Sequence, residues 1–171
     1  MRQSTSIPVS LSLLLLVAAG AFNGCATGPR FDTRGVNAHI TPATAVKDAA
    51  AVRDRRVLWT GMILNSRNLK DHTEMEVLAY PADSHHKPDL DREPLGRFLL
   101  EQPGYLETAD YAQGRLITVV GVIGRAREGR IGEASYTYPV LTAAQLHLWP
   151  KSERGQGAEP RIHFGIGVIL R

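Results

Sequence analysis

The sequence predicts a mainly β protein: a small closed antiparallel barrel, OB-like with Greek-key connections, carrying one short N-terminal helix. Three observations predict it. Apolar runs at residues 57–64, 73–80, 96–100 and 115–124 have the length and period of strands. Sixteen glycines and ten prolines punctuate the chain, a density that suits a turn-rich β fold. No helix-length pattern lies between successive strands, so helical crossovers are not expected.

Residues 1–24 open the chain. Arg2 supplies a positive start, residues 9–21 form an uncharged apolar run, and Gly24 precedes Cys25. The run is roughly a dozen residues, short of the ~20 that a helix needs to cross the hydrocarbon core. A basic start, a short apolar middle and small residues mark an export signal. Cys25 is the single cysteine, so it has no disulfide partner within the chain. The stretch looks like a bacterial lipoprotein signal, in which this thiol takes a diacylglyceryl group and becomes the first residue of the mature protein. The alternative is an ordinary secretory signal cut nearby, which leaves Cys25 a free thiol in an oxidising compartment. On the lipoprotein reading two or more acyl chains make attachment stable, at ~0.8 kcal/mol per buried CH₂. The domain then hangs from a membrane by Cys25. Ala26 stands where an aspartate marks inner-membrane retention in many Gram-negative bacteria, which favours the outer membrane, with the domain on its periplasmic face.

The 171 residues carry 20 Lys and Arg against 17 Asp and Glu, and loss of Arg2 with the signal leaves +2 on the remaining 147. That length supports one domain with a real core. The charges are evenly mixed, which excludes the basic footprint of a nucleic-acid partner. Residues 25–37 read as a flexible tether, and residues 38–150 as the barrel domain. Thr41 is a plausible N-cap with Pro42 at the first helical position, and the spacing predicts a helix to about Arg53.

Residues 57–64 are apolar on both faces, as in a tightly closed sheet. Residues 65–72 form a polar turn. The run 73–80 then puts Met75, Val77 and Ala79 on one face and Glu74 and Glu76 on the other, so the pair reads as a hairpin. Pro81 stops the second strand. Residues 83–93 are a solvated loop, 96–100 a short third strand, and 115–124 the most apolar strand, in which Gly121 marks a bend or bulge. Residues 134–138 lead into the final strand, which ends at Trp149-Pro150. Residues 151–160 are a Gly- and charge-rich spacer. Residues 161–171 are apolar and supply either a further strand or a contact surface.

These residues resemble the outer-membrane lipoprotein Slp family. The resemblance is carried by Cys25, Ile40-Thr41-Pro42, Val57-Leu58-Trp59-Thr60-Gly61, Glu76-Val77-Leu78 with Tyr80-Pro81, Gly96-Arg97-Phe98 and Gly104-Tyr105-Leu106. Thr118-Val119-Val120-Gly121, Ile131-Gly132-Glu133, Tyr138-Pro139-Val140 and Leu148-Trp149 continue it, so that it spans about residues 25–150. It departs at Thr60, where a second glycine is expected, and at Glu107-Thr108-Ala109, where the family tends to carry Asp-Pro. The resemblance implies an outer-membrane lipoprotein linked to starvation, stationary phase or envelope stress. It implies no defined reaction, cofactor or metal.

Candidate chemistry is sparse. His85-His86 with Asp83, Asp89 and Asp91 offers metal-binding residue types, but without a second His or Cys motif it reads as a solvated loop. Glu74 and Glu76 share a strand face, where paired carboxylates do acid–base work only if their environments separate their pKa values. On a half-exposed strand they read as the water-facing side. Tyr136, Tyr138 and Trp149 are the candidate ligand-binding residues, with aromatic faces for a sugar or a lipid. For each, packing is the competing role. The expected protein is therefore not an enzyme and needs no cofactor. It is a lipid-anchored partner of an envelope protein or glycan. The alternative is a binding module for a small apolar or glycan ligand.

Overall fold

The computed structural model describes residues 28–151. Cys25, the signal and the 161–171 segment lie outside the described residues. The described residues form seven strands: β1 (Arg56–Asn68), β2 (His72–Tyr80), β3 (Arg97–Pro103), β4 (Leu116–Ile123), β5 (Arg127–Ile131), β6 (Ala134–Tyr138) and β7 (Val140–Leu148). Five of them close a barrel in the order β1-β2-β3-β7-β4, while β5 and β6 form a separate two-stranded sheet. Counting barrel strands only, the order 1-2-3-5-4 is that of a five-stranded Greek-key barrel of the OB type.

The expectation of an all-antiparallel barrel needs one correction. β3 and β7 run parallel, with Leu99 beside Val140 and Glu101 beside Thr142. The reason is parity: an odd number of strands cannot close a ring with every neighbouring pair antiparallel.

Alternation fills the barrel. Val57, Trp59 and Ile63 from β1, Met75, Val77 and Ala79 from β2, and Phe98 and Leu100 from β3 meet Ile117, Val119, Ile123 and Leu141 inside. Trp59 and Phe98 pack edge to face at 5.0 Å. Two bulges change the phase of the alternation. In β7 the register shifts opposite Val120 and Gly121, so the inward set passes from Leu141 and Ala143 to Leu146 and Leu148. This is the irregularity that Gly121 predicts. A second shift, between Ile63 and Asn65 of β1, has no such signal. After it Ser66 pairs with Met75 and Arg67 with Glu74, so Arg67 leaves the phase of Trp59 and points outward.

The predicted helix is split in two. α1 (Pro42–Lys47) has Thr41 as N-cap in a reciprocal capping box with Thr44, and α2 (Ala49–Val52) is capped by the Asp48 side chain. The break falls at Asp48, whose backbone leaves the helical region (φ −141, ψ 63) and whose carboxylate accepts from the Ala51 N–H at 3.2 Å. An aspartate that caps the second helix with its side chain ends the first with its backbone. Pro42 and Ala45 are buried, and Ala45 joins the core cluster.

The segment expected as a flexible tether is docked from Phe31 onward. The Asp32 N–H donates to Gln145 at 2.8 Å, and Arg56 donates to the Asp32 carbonyl at 3.0 Å. Asn37 N–H reaches the Arg56 carbonyl at 2.8 Å. Phe31 packs edge-on against His86 and His147, and His147 against Trp149. The arm therefore lies on the outer wall of β1, β4 and β7. Thr118, off the core face, is fully buried, its hydroxyl held between the His86 carbonyl and the Trp149 indole.

Candidate functional site

Two recesses open on the barrel wall, with opposite chemistry. The first lies where the arm passes the ends of β1 and β2. It is a cleft of about 510 Å³, within the ~300–1,000 Å³ range of small-molecule sites. Val36, Ala38 and Ile40 come from the arm, Leu58 and Trp59 from β1, and Tyr80 from β2. Among the described residues none of its lining side chains is Asp, Glu, Lys or Arg. Three of its six polar side chains, Thr41, Trp59 and Thr60, are already engaged. Trp59 Nε1–H donates to the Ile40 carbonyl at 2.7 Å and the Thr60 hydroxyl to the Tyr80 carbonyl at 2.8 Å. Thr60, the departure from the family pattern, thus ties β1 to the end of β2.

The second recess is charged. The inserted β5–β6 hairpin lies over the outward face of β2 and β3, leaving a pocket of about 240 Å³ lined by Arg67, Glu74, Glu76, Arg127 and Tyr138 among others. Glu74, read from sequence as water-facing, is 3% exposed. Its two oxygens are taken separately, by Arg67 at 2.6 Å and by Arg127 at 2.5 Å. Arg127 also approaches Glu101 at 3.5 Å. Burial alone pushes the Glu74 carboxyl up, but the hydrogen bonds from Arg67 and Arg127 outweigh it and hold it below the usual carboxylate range. Glu76 accepts from Arg97 at 2.8 Å and from the Tyr138 hydroxyl at 3.0 Å. The face is an ion-pair network that seats the hairpin.

The sequence-predicted site residues fall in different places. Tyr136 and Tyr138 are brought together, with ring centroids 4.7 Å apart. The Tyr136 hydroxyl accepts from Arg97 N–H at 3.1 Å, and Tyr138 is buried. Burial, then its bond to Glu76, pushes the Tyr138 phenol up. Trp149 belongs to another neighbourhood: it donates to the buried Thr118 hydroxyl at 2.9 Å and lies under the Lys87 ammonium. In the 83–93 loop Asp83 caps its own turn, accepting from His85 and Lys87 N–H, while Asp89 accepts from Asp91 N–H. His86 leaves the loop's solvent side to line the apolar cleft. Among the described residues, the potential ligand atoms that do converge within 4.8 Å are those of His72, Glu74 and Glu101. Arg67 and Arg127 neutralise Glu74 there, so the trio is closed as an ion-pair cluster.

Sequence reasoning missed the cleft, the charged pocket and Arg127. One signal pointed to the cleft: residues 57–64 are apolar on both faces, and the outward Leu58 is covered by the arm. No signal in residues 127–131 marks Arg127 as a partner of Glu74.

The profile of the outer membrane lipoprotein Slp family matches residues 22–165. The chain belongs to the Slp family. It is 36% identical over 93 residues to an uncharacterized protein of Haemophilus influenzae, covering 54% of this chain and 50% of that one. It is 32% identical to the uncharacterized lipoprotein YeaY of Escherichia coli, over 63% and 57% of the two chains. It is 29% identical to the outer membrane protein Slp of Escherichia coli, over 64% and 57%. The chain thus spans about half the length of the curated relatives it matches. Among solved structures, the mitochondrial single-stranded DNA binding protein Rim1 of S. cerevisiae is similar with a TM-score of 0.36 at 13% identity, over 54% of this chain and 92% of that one. A small single-stranded DNA-binding protein of Streptomyces coelicolor has the same TM-score and identity, over 56% and 94%. Neither likeness extends to function in this Slp-family chain.

Proposed function

We propose that this Slp-family protein is a non-enzymatic lipoprotein, anchored through Cys25 to the periplasmic face of the outer membrane and acting by contact with other envelope components. Starvation, stationary phase or envelope stress is the proposed setting, in line with the family resemblance. The observation that carries the reading is the docked arm. Phe31 is six residue steps from Cys25, which at ~3.3–3.6 Å per step reach about 20 Å. A lipidated Cys25 would therefore hold this wall of the barrel near the bilayer surface instead of letting it range on a long tether. The charged pocket supports a non-catalytic role, because Glu74 is fixed by two guanidiniums rather than poised near neutral pH.

Intact mass and membrane fractionation of wild type beside Cys25→Ser test the proposal. The expected result is a mature N-terminus at Cys25 carrying acyl mass, with outer-membrane recovery in wild type only. A soluble wild type with a free thiol refutes it. The second reading, a binding module for a small apolar or glycan ligand, draws support from the uncharged cleft. Tyr136, Tyr138 and Trp149 lie outside that cleft and enter this reading only as separate aromatic surfaces. Retained ligand binding in Tyr136→Ala and Trp149→Phe would remove them.

A further inference from the structure

We propose that the cleft between the arm and the β1–β2 wall binds one hydrocarbon chain of a single-chain membrane lipid. Three observations select this occupant. First, the lining holds no Asp, Glu, Lys or Arg in a chain of which 22% of residues are charged, so an anionic glycan or a nucleic acid finds no permanent counter-charge there. Second, the directional groups away from the rim are already used: the Trp59 indole N–H by Ile40, the Thr60 hydroxyl by Tyr80, and the Thr41 hydroxyl by the Thr44 N–H. A glycan would bury its own hydroxyls against satisfied partners, which is unfavourable. A peptide cannot add as a strand, because the barrel sheet is closed. A methylene chain asks only for apolar surface, and Val36, Ile40, Leu58 and Leu95 supply it. Third, the arm forms one wall of the cleft, and its docked portion begins six residues after Cys25. The cleft is thereby brought to the surface where such lipids reside. The source of lipid rests on the anchoring proposed above; the binding itself does not.

The polar rim is limited to Thr33, His86 and the Tyr80 phenol. It can hydrogen-bond a headgroup. Affinity then scales with chain length: each further methylene buried tightens binding about fourfold, until the cleft is filled.

The test uses the mature chain 25–171 with Cys25→Ser, so that lipidation is irrelevant to the readout. Saturated fatty acids of increasing length, each below its micelle concentration, are titrated by calorimetry and by the fluorescence of Trp59, which lines the cleft. Support is saturable one-to-one binding that tightens with length and then levels off. It weakens at least tenfold in Leu58→Glu and in Ala38→Glu, and persists in Val122→Glu. Ala38 is exposed, so Ala38→Glu keeps the test valid if Leu58→Glu fails to fold. Val122 is exposed and outside the cleft. Absent binding, or binding unchanged in both cleft variants, overturns the proposal. Binding that appears only after deletion of residues 152–171 also overturns it and gives the cleft to that segment. Binding in this soluble form beside a soluble, unlipidated wild type would sink the anchor alone.

Discussion

Glu74→Ala should destabilise the domain by about 2–3 kcal/mol, and it should loosen the β5–β6 hairpin first. The carboxylate is 4% exposed, whereas Arg67 is 60% and Arg127 40% exposed. Each charge-assisted bond contributes ~1.5–3 kcal/mol, and breaking a fully buried pair costs ~3–5 kcal/mol. Both arginines here can rehydrate, so the loss falls between one bond and the fully buried case. With a urea slope of ~1–3 kcal/mol/M, the midpoint should drop by about 1 M. The hairpin is the element tied down by Arg127, so amide exchange across residues 127–138 should accelerate ahead of the barrel strands. A double-mutant cycle of Glu74→Ala with Arg127→Ala isolates the pair, with an expected coupling of about 1–2 kcal/mol. A coupling under ~0.3 kcal/mol, within ordinary additivity, would show that the hairpin does not depend on this contact and would refute the account of the charged pocket.

Other perturbations are set by the same geometry. A Cβ on Gly61 would lie 2.6 Å from Val77 Cγ1 and closer still to the Leu78 carbonyl. Overpacking of this kind costs ~1–3 kcal/mol, so Gly61→Ala should lower Tm by roughly 5–10 °C, and an unchanged Tm contradicts the packing described. Phe31→Ala removes two edge contacts of the arm, each worth ~0.5–1.5 kcal/mol, and should speed trypsin cleavage after Arg34 by about 2–10-fold; equal rates mean the arm is held elsewhere. Acid should loosen the arm in two stages. Burial pushes His147 below its usual 6.5, so its contribution is complete above that value and is lost as pH falls through the lower folded value. Asp32, held down to about 2 chiefly by its hydrogen bond from Arg34, keeps its charge far longer. Amide exchange at Val36 and Asn37, followed against pH, should therefore rise first on the acid side of 6.5, and a profile flat down to pH 4 excludes His147 as the cause. Glu74 has the same sign at lower pH: stability is full above the ordinary 4.5 and falls below it. Glu74→Ala should flatten that limb of the denaturation profile.

The strand patterns, the turn residues and the lack of crossovers were enough to define a small OB-like barrel. Alternation alone put Met75, Val77 and Ala79 inside and Glu74 and Glu76 outside, because side-chain direction in a strand is a local property of the backbone. Thr41 and Pro42 likewise fixed the start of α1, through hydrogen bonds that span three residues. Family membership was legible for the same reason, being carried by short ordered motifs. What the outward faces meet was not local. Whether Glu74 faces water depends on a hairpin more than fifty residues away and on a bulge at Leu64 that turns Arg67 outward. Whether residues 31–37 swing free depends on Gln145, Arg56 and His147 of strands they never adjoin in sequence. The parallel β3–β7 pair is a consequence of closing five strands into a ring, a property of the whole sheet. Local patterns specify the barrel and its lining; what covers that barrel is set by contacts between segments whose patterns carry no information about each other.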